Sequence, residues 1–325
     1  MRNITFLKAI NEAISEEMRR DKDVFLLGED VGTYGGAFGV SAGLLKEFGP
    51  ERVMDTPISE AAIAGAALGA ALAGMRPILE IMFSDFVTIA MDMIVNHAAK
   101  IRYMSGGQAK APFVLRTASG CGTGAGAQHS QSLESWFCHI PGLIVVSPSC
   151  PRDAKGLLKS AVRDDNPVIF YEHKLLYKTA GYVPDGDFTV PIGKADVKRS
   201  GGDISIISYS ASTLNCLEAA RVLSREGISA EVVDLRTLRP LDTGTIIKSV
   251  SKTGRALIVH EACKTVGLGA EISALIAESE TFAKLKAPVK RVCGLDIPVP
   301  YSHPLERIFA PCVDSVTAAA KELMK

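Results

Sequence analysis

A single acidic residue opens the least polar stretch of the chain. In DTPISEAAIAGAALGAALAGMRP (55–77), Glu60 heads a run that holds only Ala, Gly, Ile, Leu and Met up to Arg76. The spacing predicts a helix starting at Glu60 with Ser59 as its N-cap. A carboxylate there is favoured by the helix N-terminus. With apolar neighbours it can also hold or exchange one proton, as general acid–base chemistry requires. Gly65, Gly69 and Ala73 recur every four residues beside a row of Ala62, Ala66 and Ala70. So flat a face invites another backbone, inside the chain or between subunits, although each Gly costs a helix about 1 kcal/mol relative to Ala. The stretch is too short for a membrane span, so it is expected to be a buried helix.

The second candidate is His129, in the small-residue loop GCGTGAGAQHSQS (120–132), flanked by Gln128, Ser130 and Gln131. Such a loop lets a substrate approach the backbone and leaves an imidazole free to exchange protons. The other histidines show no His-Glu-x-x-His spacing and read as structural or surface residues. Gly39-Val40-Ser41-Ala42-Gly43 matches a hydrolase nucleophile elbow, with Asp234 and His260 in a workable order. The elbow needs a strand directly before its serine, however, and VGTYGGAF reads as a loop. Gly120 to Ala125 loosely matches a dinucleotide fingerprint, but a polar stretch follows where an amphipathic helix should begin. No Gly-x-x-x-x-Gly-Lys-Ser/Thr occurs.

These residues need a scaffold, and the composition supplies one. Of 325 residues 47% are apolar and 22% charged, enough for a large core and against disorder. Lys plus Arg and Asp plus Glu number 36 each, so the formal charge is zero. Neither nucleic acid nor an anionic membrane is an expected partner. Seven cysteines at irregular spacing, without Cys-x-x-Cys, point to a reducing compartment. The N-terminus reads as an amphipathic helix on Leu7, Ile10, Ile14 and Met18, capped by Thr5, and not as a signal peptide; a cytoplasmic protein is expected.

Strand-like and helical segments alternate. DVFLLGED, RVMDTPIS, RPILEIMF, APFVLRTAS, LIVVSPS and NPVIFYEH read as strands, with helices over 84–107 and 151–164 between them. Alternation of this kind predicts an α/β fold with a largely parallel sheet. Residues 178–203 are punctuated by Gly, Pro and Asp and read as an interdomain connection. The alternation then restarts. The expected domains are 1–180 and 204–325, joined by a linker over 181–203.

FLLGEDVGTYGGAFGVSAGL, DTPISEAAIAGAALGAALAGMRP, AKIRYMSGG, AQHSQSLESWFCHIPGLIVVSPS, DAKGLLKSAVRDDNPVIFYEHKLLY and VVDLRTLRPLD resemble, in order and over nearly the whole chain, the β subunit of the thiamin-diphosphate-dependent E1 component of 2-oxo acid dehydrogenase complexes. The resemblance implies an N-terminal pyrimidine-binding thiamin-diphosphate domain and a C-terminal transketolase-like α/β domain. It also implies an α2β2 heterotetramer with thiamin diphosphate between α and β. The family's diphosphate and Mg2+ motif, Gly-Asp-Gly with a downstream Asn, lacks its Gly-Asp-Gly here, so Mg2+ is expected on a separate E1 α subunit.

Carried over residue by residue, the Glu of Pro-Ile-Ser-Glu falls on Glu60, which would hydrogen-bond the pyrimidine nitrogen N1′ and favour the imino tautomer. Phe86 falls on the aromatic residue that stacks on the ring, Ile58 on a position lining it, and Glu29 on an acid that relays protons. His129 falls on the histidine that assists acyl transfer to lipoyl-lysine. Ile89 replaces a Gln found in some relatives. Phe113, Ala161, Asp164 and Asn166 fall on mainly backbone donors of a structural K+ site. Asp296 falls where E2, the lipoyl acyltransferase, would dock. Pyruvate is the expected substrate; a branched-chain 2-oxo acid or acetoin is the alternative. A non-catalytic scaffold that only docks E2 is the reading of a different class.

Overall fold

Before the first helix comes a strand that the sequence does not announce. In the computed structural model, which describes residues 1–325, β1 (Arg2–Thr5) pairs antiparallel with residues 180–183. Helix α1 (Phe6–Arg20) follows, and the Thr5 hydroxyl accepts the Lys8 N–H at 3.2 Å, the cap that the sequence predicts.

Two units divide the chain: residues 1–119 with 136–192, and residues 120–135 with 193–325. The first continues with β2 (Val24–Gly28), α2 (Leu44–Phe48), β3 (Val53–Asp55), α3 (Glu60–Leu72) and β4 (Arg76–Ile81). The next stretch, read from sequence as one helix, is a 3-10 segment over 84–90, a π-helical segment over 92–98 and only then α4 (Ala99–Met104). The consecutive β-branched Val87, Thr88 and Ile89 disfavour a regular α-helix there. Then come β5 (Val114–Ser119), α5 (Glu134–Cys138), β6 (Ile144–Val146), α6 (Pro151–Arg163), β7 (Val168–His173) and β8 (Ala180–Val183).

Six parallel strands of this unit lie in the order β6-β7-β5-β4-β2-β3. Those at its centre are unbroken buried runs, as a sheet covered on both faces demands. Helix α1 packs on α6, and ion pairs stitch the two. Lys155 Nζ reaches Glu12 and Glu16 at 3.0 and 2.6 Å, and Arg163 reaches Glu17 at 2.6 Å. Inside the sheet, Arg116 on β5 is 1% exposed. Its guanidinium donates twice to Glu172 on β7, at 2.7 and 2.9 Å, and once to Glu80 on β4, at 2.6 Å. Burial opposes that charge, but the two carboxylates outweigh it and raise the Arg116 pKa.

Helix α3 departs from expectation in two respects. Ser59 is exposed and its hydroxyl makes no cap bond, so Glu60 alone supplies the favoured negative charge. The helix is also only half buried: Ile63, Ala64, Ala67, Leu68 and Ala71 face the core, while Ala62, Ala66, Gly69 and Leu72 face outward. Within the chain its flat face meets little. A Cβ on Gly65 would touch Met93 at 3.5 Å, and one on Gly69 would meet nothing within 4 Å.

The second unit holds β9 (Asp196–Arg199), β10 (Ile204–Ser208), α7 (Ser212–Arg225), β11 (Ala230–Asp234), β12 (Thr237–Arg239), α8 (Thr243–Thr253) and β13 (Ala256–Cys263). It ends with α9 (Leu268–Ala277), β14 (Lys290–Gly294), α10 (His303–Phe309) and α11 (Val313–Met324). Its sheet runs β14-β13-β10-β11-β9, parallel except for the edge strand β9. Ile204, Ile206, Leu223, Val232, Leu257 and Val316 sit at its core. Residues 181–203, read from sequence as linker, thus supply part of β8 and all of β9. Both strands are short, at four residues each.

His260 on β13 is fully buried. One ring nitrogen, Nδ1, lies 3.0 Å from the Ala262 carbonyl, and the other, Nε2, lies 3.2 Å from the Gly269 N–H and 3.3 Å from Cys293 Sγ. That set fits a neutral ring with its proton on Nδ1. Burial is the main influence and pushes the ring's pKa down to about 4. The unfolded chain therefore binds this proton more tightly. Stability from this group is complete above pH 6.5 and falls as pH drops toward about 4. The expected loss over that window is roughly 3 kcal/mol. Urea unfolding at pH 7.5 and 4.5 reads it, and His260→Gln should flatten that pH dependence; an unchanged dependence in the variant would refute the assignment.

Candidate active site

In an open parallel sheet the loops after the strands gather at one edge, where ligands bind. Three such loops carry four of the predicted residues. Glu29 follows β2, Ile58 and Glu60 follow β3, and Phe86 follows β4. Three hydrogen bonds tie the first loop to the second. Asp55 accepts the Gly32 and Thr33 N–H groups at 2.6 and 3.1 Å, and the Gly28 carbonyl accepts the Thr56 N–H at 3.0 Å. The glycines after Glu29 are a steric requirement. Gly36 has φ +84°, and a Cβ on it would lie 3.0 Å from Ser41 Oγ and 3.3 Å from Glu80 Oε1.

Glu60 begins α3 and is 7% exposed. Glu29 is half-buried, and its carboxyl pKa is raised, first by burial and then by the Glu60 and Asp30 carboxylates. The two acids therefore lie in one electrostatic field. Beside them the surface is apolar where solvent reaches it: Ile58 is 82% and Ile89 56% exposed. Phe86 stands edge-on to Phe83 at 6.1 Å, Phe83 to Phe38 at 5.6 Å, and Phe38 packs on Tyr177 at 5.2 Å. Lys174 Nζ sits 5.6 Å over the Phe83 ring. A buried carboxylate beside exposed aliphatic and half-buried aromatic side chains fits a flat heterocycle that is apolar on its faces and basic at one edge nitrogen.

His129 belongs to the second unit, half-buried in a turn whose N–H faces the Gly126 carbonyl at 3.4 Å. Ser41 is no nucleophile: it is fully buried in a loop and its hydroxyl donates to the Val31 carbonyl at 2.7 Å. No group of three or more His, Cys, Asp or Glu side chains is placed to hold a metal ion. Of the expected K+ donors, the Phe113 carbonyl accepts the Val168 N–H at 3.0 Å and the Ala161 carbonyl accepts the Asp164 N–H at 3.3 Å. The Asp164 carbonyl accepts from the Arg76 guanidinium at 3.0 Å, and the Asn166 side-chain oxygen accepts from Arg102 at 2.7 Å. Each carbonyl keeps a second lone pair. Arg76 nevertheless puts positive charge on this turn already. Asp296 accepts from the Thr265 N–H and hydroxyl at 3.1 and 2.7 Å on an exposed surface.

The sequence reading missed Asp55 and the aromatic props Phe38 and Phe83. Asp55 carried a signal, since an Asp directly before Thr-Pro favours side-chain bonds to nearby backbone. The two phenylalanines lie in loop and strand-end positions with no period to mark them.

Comparison with known proteins fits this site. Residues 2–179 match the family described as Transketolase, pyrimidine binding domain, and residues 193–316 match Transketolase, C-terminal domain. A solved split-gene transketolase, described as an inactive β4 tetramer, superposes with a TM-score of 0.82 over 99% of this chain and 98% of that one, at 23% identity. The class is therefore a two-domain subunit of transketolase type. The 2-oxoisovalerate dehydrogenase subunit beta of Bacillus subtilis is 51% identical over 98% of each chain. The mitochondrial pyruvate dehydrogenase E1 component subunit beta-2 of Oryza sativa is 48% identical over 98% of this chain and 86% of its own length. The acetoin:2,6-dichlorophenolindophenol oxidoreductase subunit beta of Cupriavidus necator is 48% identical over 100% of this chain and 98% of its own. The chain belongs to the β subunits of the thiamin-diphosphate-dependent E1 components of the 2-oxo acid and acetoin dehydrogenases.

Proposed function

We propose that this chain is the β half of an E1 that decarboxylates pyruvate and reductively acylates the lipoyl group of an E2. The observation that carries the reading is the buried Glu60 at the head of α3, in one field with Glu29. Thiamin diphosphate, when bound, supplies a nucleophilic carbon and an electron sink. This chain's part is to hold the aminopyrimidine ring. Glu60 takes the proton-bearing edge at N1′, where a carboxylate in a dry site acts more strongly than in water. Ile58 and Phe86 bound the ring's faces. Glu29, with its raised pKa, is poised to pass a proton. His129 donates a proton during acyl transfer.

The diphosphate and Mg2+ are assigned to an α subunit in an α2β2 heterotetramer, because the sequence of this chain lacks the family's Gly-Asp-Gly motif. A K+ on the second lone pairs of Phe113, Ala161 and Asp164, with Asn166, is an adjunct to that assignment, and Arg76 already does part of its work. E2 docking at Asp296 and a cytoplasmic, reducing setting complete the reading; the seven free cysteines support the latter.

Reconstitution with the α chain tests it. The pair should turn over pyruvate in preference to 2-oxoisovalerate and acetoin, and preference for either of the others reassigns the substrate. The isolated chain should bind thiamin diphosphate poorly by calorimetry. Micromolar, Mg2+-dependent binding without α would contradict the shared site.

A further inference from the structure

We propose that Glu306 and Glu261 are positioning residues for His129, and that fixing this loop is the C-terminal unit's share of acyl transfer; this rests on the role given to His129 above. The loop leaves β5 at Ser119, a strand of the first unit, yet residues 120–135 belong to the second. It has little regular structure of its own, and Gly120, Gly122, Gly124 and Gly126 all have positive φ. Alternating glycines in that region would leave a free loop with many conformations.

Two carboxylates remove that freedom. Glu261 on β13 accepts the Cys121 N–H at 2.6 Å and the Ser132 hydroxyl at 3.4 Å, gripping both ends of the loop. Glu306 on α10, 3% exposed, accepts the Gly122 N–H at 2.6 Å and the Gly124 N–H at 3.0 Å. Two glycine N–H groups thus converge on one carboxylate, an anion-binding concavity that the chain fills with its own side chain. Steric fit completes the placement. A Cβ on Gly124 would lie 2.8 Å from the His303 ring, and one on Gly126 would lie 2.2 Å from the Tyr301 ring. Gly126 in turn closes the turn on the His129 N–H. A third acid, Glu134, fixes the far end by accepting from the Tyr209 hydroxyl at 2.6 Å.

The step served is the opening of the lipoyl dithiolane. The two electrons left by decarboxylation break its S–S bond. One sulfur bonds to the acyl carbon; as that carbon becomes the thioester carbonyl, its bond to the carrier breaks, the electron pair stays with the carrier and the hydroxyl proton goes to solvent. The other sulfur takes one proton as a thiol. The His129 imidazole gives that proton, so its placement sets the rate of this step and not of decarboxylation.

The test uses the reconstituted holoenzyme with Glu306→Ala, Glu306→Gln, His129→Gln and the double variant of the last two. Each is assayed for dichlorophenolindophenol reduction, which reports decarboxylation, and for acylation of a lipoylated E2 domain. We expect the ratio of acylation to dye turnover to fall tenfold or more in Glu306→Ala and less in Glu306→Gln, which keeps one acceptor oxygen. A general loss of folding would lower both rates in parallel; an unchanged ratio in both Glu306 variants overturns the proposal. On the His129→Gln background, Glu306→Gln should add no further fall, and a multiplicative loss also overturns it. If His129→Gln leaves the ratio unchanged, the role given to His129 is what fails.

Discussion

Glu60→Gln, assembled with its α partner, should lose thiamin-diphosphate-dependent turnover by roughly 10²–10⁴-fold, the range that a positioned acid–base group supplies. The substitution keeps the shape of the side chain at the first turn of α3. It removes the negative charge that a ring nitrogen needs in order to hold a proton. The helix itself loses little, because the charge–dipole contribution at a helix N-terminus is about 0.3–1 kcal/mol and reaches only about 2 kcal/mol where it is partly buried. Assembly should therefore survive, and size-exclusion chromatography alongside the assay checks both halves of the claim. The neighbouring Glu29 sharpens the expectation. Its carboxyl is raised partly by the Glu60 charge, so its pKa should move down in the variant. Undiminished turnover in an intact assembly would mean that this subunit is a scaffold for E2.

The second large effect is on stability. Arg116→Met should destabilise the first unit by about 3–5 kcal/mol, the cost of removing one partner from a buried ion pair. The arginine's three bonds leave with it, and Glu80 and Glu172 are left facing each other inside the sheet. Tyr177, whose hydroxyl donates to Glu172 at 2.8 Å, cannot neutralise two carboxylates. The sign of the pH response is fixed by the same argument. Without the guanidinium the buried carboxyls have raised pKa values in the fold, so their penalty is small in acid and grows as pH rises through those values. The variant should be closest to the parent near pH 5 and furthest from it at pH 8, read as the difference in unfolding midpoint. A deficit that does not change with pH would mean that packing, not charge, governs the site. Glu80 pairs with Gly28 across the sheet and lies under Gly36, so the damage should also reach the Glu29 loop.

Strong periodicity made much of the scaffold legible. Helices α1 and α6 and the buried runs of β2, β4, β5 and β7 all follow from patterns of apolar residues long enough to exclude chance. Elements without such a pattern were hidden. β1 and β8 are four residues each, with mixed exposure, and neither shows an alternation before its partner is known. The segment 84–104 has helical spacing but not one helical geometry, because spacing does not distinguish turns of slightly different width. At the site, Glu60 was visible as a charge where the sequence is otherwise apolar, and His129 as an imidazole among small residues. Glu261 and Glu306 were not. Each is a lone acid far along the chain from the loop it grips, and only the fold brings it there.

The pairing of β1 with β8 and of α1 with α6 bears on how the polypeptide must be made. Residues 2–5 and 6–20 find their partners only at 180–183 and 151–163. At a ribosomal pace of about 5–20 residues per second, the oily side of the first helix waits roughly 7–30 seconds for its cover. Chains that stall after Arg20 and before Pro151 are therefore the ones that chaperones should capture, with Phe6, Ile10, Ile14 and Met18 as the bait.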